Sequence, residues 1–128
     1  MATVVTDLTP WLAFFGGENC LPLELALQAN ALEIPALIKL EMLSAPMGKK
    51  ERAALEKALS LLPTLELDKN HLLAAAMLKA DLEEKGEFIS VRDAHILQCA
   101  IDRNAILLSR DALFARLQDS TGVRIQLW

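Results

Sequence analysis

Four acidic residues, Asp7, Glu41, Asp93 and Asp111, stand out among the 17 Asp and Glu of this 128-residue chain because of where they fall. Asp7 ends the β-branched run 3–6, and Asp111 follows the apolar run 105–108 through Ser109-Arg110. Asp93 closes Ser90-Val91-Arg92-Asp93, which has the form of a helix capping box. Glu41 interrupts an apolar helix on the face of Leu37, four residues earlier. Taken singly, each suits a turn, a helix cap or a solvated helix position. Brought together, carboxylates a few ångströms apart repel by roughly several kcal/mol even at an effective dielectric near 20. A divalent cation removes that repulsion. Hard Mg2+ or Mn2+ takes carboxylate oxygens, activates water and stabilises the leaving oxygen of a phosphodiester.

Other side chains offer less. His71 and His95 have no ligand-like spacing to each other and read as structural or surface residues. Cys20 and Cys99 fit neither a paired metal-ligand spacing nor a disulfide framework, and read as small buried hydrophobes in a reducing cytoplasm. Lys49, Lys50 and Arg52 read as a solvated helix face. Arg92 and Arg110 flank the acidic motifs and are candidates for contact with substrate phosphates.

The elements that must position these residues follow from periodicity and punctuation. At 128 residues, 53% apolar and 23% charged, the chain is expected to form one globular domain over 1–128. Strands are expected at 3–6, 32–35, 64–67, 105–108 and 123–127, the last alternating like an edge strand. Helices are expected at 10–15 with Thr9 as N-cap, from 21–22 to about 30, around Leu37, Leu40 and Glu41, and at 49–62. A long helix follows, capped by Asp68 and running to Lys85, with Gly86 at the left-handed position after it. The helix at 94 to about 102, apolar nearly all round, is expected to be central. This alternation predicts an α/β fold, with a mostly parallel sheet of about five strands flanked by helices and a site beyond the carboxyl ends of the strands.

Function classes are narrowed by composition. A net charge of -4 excludes nucleic-acid binding by charge alone, and 5% aromatics with no tyrosine are too few for a base-stacking platform. No apolar stretch approaches a membrane span and no basic region precedes an apolar core at the N-terminus, so a soluble, cytoplasmic protein is expected, with no membrane partner.

Residues 5–11, Ile34-Pro35 with Leu40-Glu41, residues 89–94, and residues 107–111 with Phe114 together resemble the successive motifs of PIN domains, especially the VapC toxins of bacterial toxin-antitoxin pairs. The resemblance spans nearly the whole chain. It implies that Asp7, Glu41, Asp93 and Asp111 are metal-binding, catalytic acids and that Thr9 and Ser109 line the same site. It further implies a Mg2+- or Mn2+-dependent endoribonuclease acting on RNA, which forms a homodimer and is inhibited by a small antitoxin protein. Leu8, Pro10 and Leu113 depart from the family's usual residues. Asp7 is followed by Leu8 and by Thr9, not by a second aspartate, which excludes receiver-domain and haloacid-dehalogenase-like phosphoryl chemistry. The rival reading is a noncatalytic PIN-fold module for protein interaction, and binding of Mn2+ between Asp7 and Asp93 discriminates the two.

Overall fold

A computed structural model describes residues 2–128. Five strands, β1 (Val4–Thr6), β2 (Leu32–Pro35), β3 (Thr64–Leu65), β4 (Ile106–Ser109) and β5 (Arg124–Leu127), form one sheet in the order β3-β2-β1-β4-β5, and every pairing is parallel. Parallel pairing requires crossovers, and helices supply them. These are α1 (Thr9–Phe15), α2 (Leu21–Gln28), α3 (Ala36–Ser44), α4 (Lys49–Ser60), α5 (Lys69–Glu84), α6 (Val91–Arg103), α7 (Ala112–Arg116) and α8 (Gln118–Thr121). The central strands are nearly continuous apolar runs because helices cover both faces: Val5, Ile34, Leu107 and Leu108 are fully buried. The edge strand β5 keeps the alternating pattern and is largely exposed.

Helix α6 is the buried crossover, with Asp93 through Ala100 all buried. It starts three residues before the position its apolar run suggests, since Ser90 is the N-cap and its Oγ accepts the Asp93 N–H at 3.0 Å. At its other end Asn104 takes the left-handed conformation at φ 47°, which tips the chain directly into β4. Asp68 caps α5 by accepting the His71 N–H at 2.9 Å, and Gly86, just beyond, has φ +83°. Strand β3 stops at Leu65, two residues short of the alternating run, because it is an edge strand paired only through Ile34 and Pro35 of β2.

One cap expectation is overturned. Thr9 lies inside α1, and the Leu8 position that precedes it makes no side-chain cap. Asp7 does the work instead, accepting the Thr9 N–H at 2.9 Å, because an aspartate two residues upstream closes an Asx turn at the helix start. The Thr9 hydroxyl is thereby free to face Asp7. Helix α1 is anchored on β1 by Trp11 Nε1, which donates to Thr6 Oγ1 at 2.9 Å.

Candidate active site at the carboxyl edge of the sheet

Parallel strands all end on one edge, and the first turns of α1, α3 and α7 and of the returning α6 meet there. Asp7, one residue past β1, is only 2% exposed. Its Oδ1 accepts the Thr9 N–H and the Thr9 hydroxyl, the latter at 2.6 Å, and its Oδ2 accepts the Ser109 hydroxyl at 2.6 Å. Burial raises the Asp7 pKa above the ordinary carboxylate range, opposed by the Ser109 and Thr9 hydrogen bonds and by the positive charge of Arg92. Two hydroxyls, one from the first residue of α1 and one from the end of β4, thus fix both oxygens of one buried carboxyl.

Arg92 is the second organiser. Its Nε meets Glu41 Oε1 in a charge contact whose N–H does not point along a hydrogen bond, and its Nη1 lies 3.8 Å from Asp93 Oδ1. The Asp93 carboxylate turns toward Arg92, so the Ser90–Asp93 capping box operates through its serine half. Glu41 and Asp93 therefore flank one guanidinium whose charge also reaches Asp7, and the repulsion among the acids is offset from within the chain.

Asp111 is joined to this group indirectly. Its N–H donates to Ser109 Oγ at 2.9 Å, and its Oδ1 accepts the Leu113 N–H at 2.9 Å as the N-cap of α7. Its carboxylate is exposed at the rim. Arg110 donates its N–H to Thr9 Oγ1 at 2.9 Å, but its side chain leaves the acids, pairing with Glu18 at 2.6 Å and lying 4.3 Å over the Trp128 ring. That aromatic and acidic seat for Arg110 was not visible in the sequence, since Glu18 and Trp128 are remote from it along the chain.

The donor set of Asp7, Glu41 and Asp93 is all carboxylate oxygen, which fits a hard divalent cation, and Arg92 marks where positive charge is wanted. As they stand, among the described residues, the acids do not converge closely enough to form a ready-made ligand cluster; the group that does is His71, His95 and Cys99. Both histidines, which the sequence presents as structural or surface residues without ligand-like spacing, are buried and bonded to each other at 2.7 Å. The single signal for this was the spacing of four between His95 and Cys99, one helical turn on α6.

A family model described as PIN domain matches residues 4–119. No curated protein matches the chain. Among solved structures, the chain is similar to VapBC from Salmonella typhimurium bound to DNA (19% identity, 100% and 99% of the two chains covered, TM-score 0.80). It is also similar to VapBC2 from Rickettsia felis bound to a DNA fragment from its promoter (20% identity, 98% of each chain, TM-score 0.78). A third is VapBC-5 from Mycobacterium tuberculosis, a member of the VapBC family of toxin-antitoxin systems (20% identity, 100% of each chain, TM-score 0.70). At these identities the likeness is one of fold.

Proposed function

The chain belongs to the PIN domain family, and from that membership we propose that it is a Mg2+- or Mn2+-dependent endoribonuclease, the toxin of a type II toxin–antitoxin pair. The observation that carries the reading is the buried Asp7 carboxyl, held at both oxygens by Thr9 and Ser109 beside the Glu41–Arg92–Asp93 group. Asp7, Asp93 and Glu41 would hold the cation, with Asp111 at the rim. When bound, the ion supplies a water of lowered pKa and charge stabilisation for the leaving oxygen.

The chain's own residues do the rest. Thr9 and Ser109 donate to Asp7, favouring its ionised form against burial and fixing its orientation. Arg92, about a third exposed, can release the acids and take a substrate phosphate. Arg110 lies at the rim as a second phosphate contact once freed from Glu18. Homodimerisation and inhibition by a small antitoxin complete the reading; a basic antitoxin side chain among the acids would repeat what Arg92 does within the chain.

A second reading, a noncatalytic interaction module, is favoured by the internal neutralisation of Glu41 and Asp93 by Arg92. Cleavage of RNA by purified, inhibitor-free protein in Mg2+ or Mn2+ separates the two. Asp7→Asn and Asp93→Asn are each expected to abolish it; undiminished cleavage by both variants rejects the catalytic assignment.

A further inference from the structure

Between α5 and α6, one to two turns along α6 from Arg92, three metal-ligating side chains meet in the core. His71 Nε2 lies 2.7 Å from His95 Nδ1, and Cys99 Sγ lies 4.0 Å from the first and 3.8 Å from the second. We propose that His71, His95 and Cys99 form a site for a borderline-soft transition-metal ion such as Zn2+, distinct in place and chemistry from the carboxylate site.

The geometry is close to what such an ion needs. A tetrahedral zinc with two imidazole nitrogens and one thiolate sets its nitrogens roughly 3.3 Å apart and each nitrogen roughly 3.6 Å from sulfur. The two nitrogens must open by about 0.6 Å and the sulfur must close by less, shifts within reach of side-chain rotation. His95 and Cys99 present their ligand atoms from successive turns of one helix, and His71 faces them from the neighbouring one. All three side chains are buried.

The surroundings supply the next layer. Asp102 Oδ2 accepts from His71 Nδ1 at 2.8 Å, which leaves Nε2 as the ligating nitrogen, and Gln98 Nε2 donates to Asp102 Oδ1 at 2.8 Å and holds that carboxylate. The charges of a divalent ion, one buried thiolate and the Asp102 carboxylate, which reaches solvent, sum to zero, so the assembly as a whole is neutral. A cavity of about 480 Å³ bordered by His71, Cys99, Asp102, Glu66 and Asp68 opens beside the group and gives the fourth position access to water.

Without an ion the same groups form a directed relay. The Leu37 N–H can only donate, so His95 Nε2 accepts it at 3.3 Å, His95 Nδ1 carries a proton toward His71 Nε2, and His71 Nδ1 donates to Asp102. Metal entry moves the His95 proton to Nε2, at the expense of the long Leu37 bond, and releases the Cys99 thiol proton to solvent. Burial and the Asp102 charge keep that thiol protonated until the ion arrives.

Titration of the purified full-length protein with Co2+ and Zn2+ tests the site without any nuclease assay. One equivalent of Co2+ should give tetrahedral ligand-field bands with a thiolate-to-cobalt charge-transfer band, displaced by Zn2+. The Asp7→Asn/Asp93→Asn double variant should give the same spectrum, so this result stands or falls apart from the proposed nuclease site. Cys99→Ala, a small apolar replacement suited to the core and checked for fold by circular dichroism, should abolish the charge-transfer band, and Asp102→Asn should weaken binding about 10- to 100-fold. Absence of a thiolate band in the wild type overturns the proposal, as does a spectrum lost in the Asp7/Asp93 variant but retained in Cys99→Ala.

Discussion

Asp7 combines two demands that pull in opposite directions. Its position past β1 buries it and raises its pKa, while Ser109, Thr9 and Arg92 pull the pKa down without cancelling the effect of burial. A carboxyl whose folded pKa is raised binds its proton more tightly when native, so its contribution to stability is lost as pH rises from the ordinary carboxylate range through the folded value. Asp7→Asn keeps shape and hydrogen-bonding capacity and removes that loss. In chelator at neutral pH the variant should therefore melt above wild type by on the order of 1 kcal/mol, or about 3 to 5 °C, and the gap should close near pH 4. Millimolar Mn2+ should reverse the order, because an ion that binds only the native acids stabilises wild type selectively. Melting below wild type in chelator, with an equal Mn2+ shift for both proteins, would reduce Asp7 to the cap of the α1 turn.

At the scale of elements, α6 carries most of the burden, since its first turn holds Arg92 and Asp93 and its buried face holds His95 and Cys99. Ser90→Ala removes the bond that starts this helix and should cost about 1 kcal/mol. RNA cleavage should fall with it, because Asp93 rides on the loosened turn; stability lost with full activity retained would separate the cap from the site. The same helix should make the protein less stable in acid. Burial, then the charge of His71, push the His95 pKa down to about 4, so its stabilising contribution is complete above about pH 6.5 and is lost as pH falls toward 4. That loss amounts to up to about 3 kcal/mol, partly offset by Asp7 over the same range. Chemical denaturation from pH 7 to pH 4 should show it, and His95→Gln should flatten the profile. Much of this architecture was legible in sequence because local rules carried it: the capping serine and aspartate at Ser90 and Asp68, the apolar run of β4, and the glycine after α5. Thr9 was misread as a cap because Asp7, two residues upstream, competes for the same N–H. The His71–His95 contact was illegible because it joins two helices whose packing register no local pattern encodes.

For the whole molecule, surface is the informative quantity. A monomeric protein of 14.1 kDa is expected to expose roughly 6700 Å², whereas this chain exposes 7324 Å². The excess is accompanied by large apolar side chains in the open, including Leu12 at 59%, Phe15 at 54% and Leu61 at 81%. Leu12 and Phe15 border an apolar groove with Met47 and Leu55 that reaches Glu41. A symmetric interface covers such surface at about 800 Å² per partner, so the chain should run as a dimer of about twice 14.1 kDa in light scattering at micromolar concentration. Charge sharpens the expectation. Each chain carries -4, so two copies repel at long range, and salt screens that repulsion while leaving apolar burial intact. Association should accordingly hold or tighten between low and high salt. A monomer throughout the micromolar range rejects the dimer, and a dimer that dissociates as salt rises would mean that ion pairs, not the exposed leucines and phenylalanines, hold the two copies together.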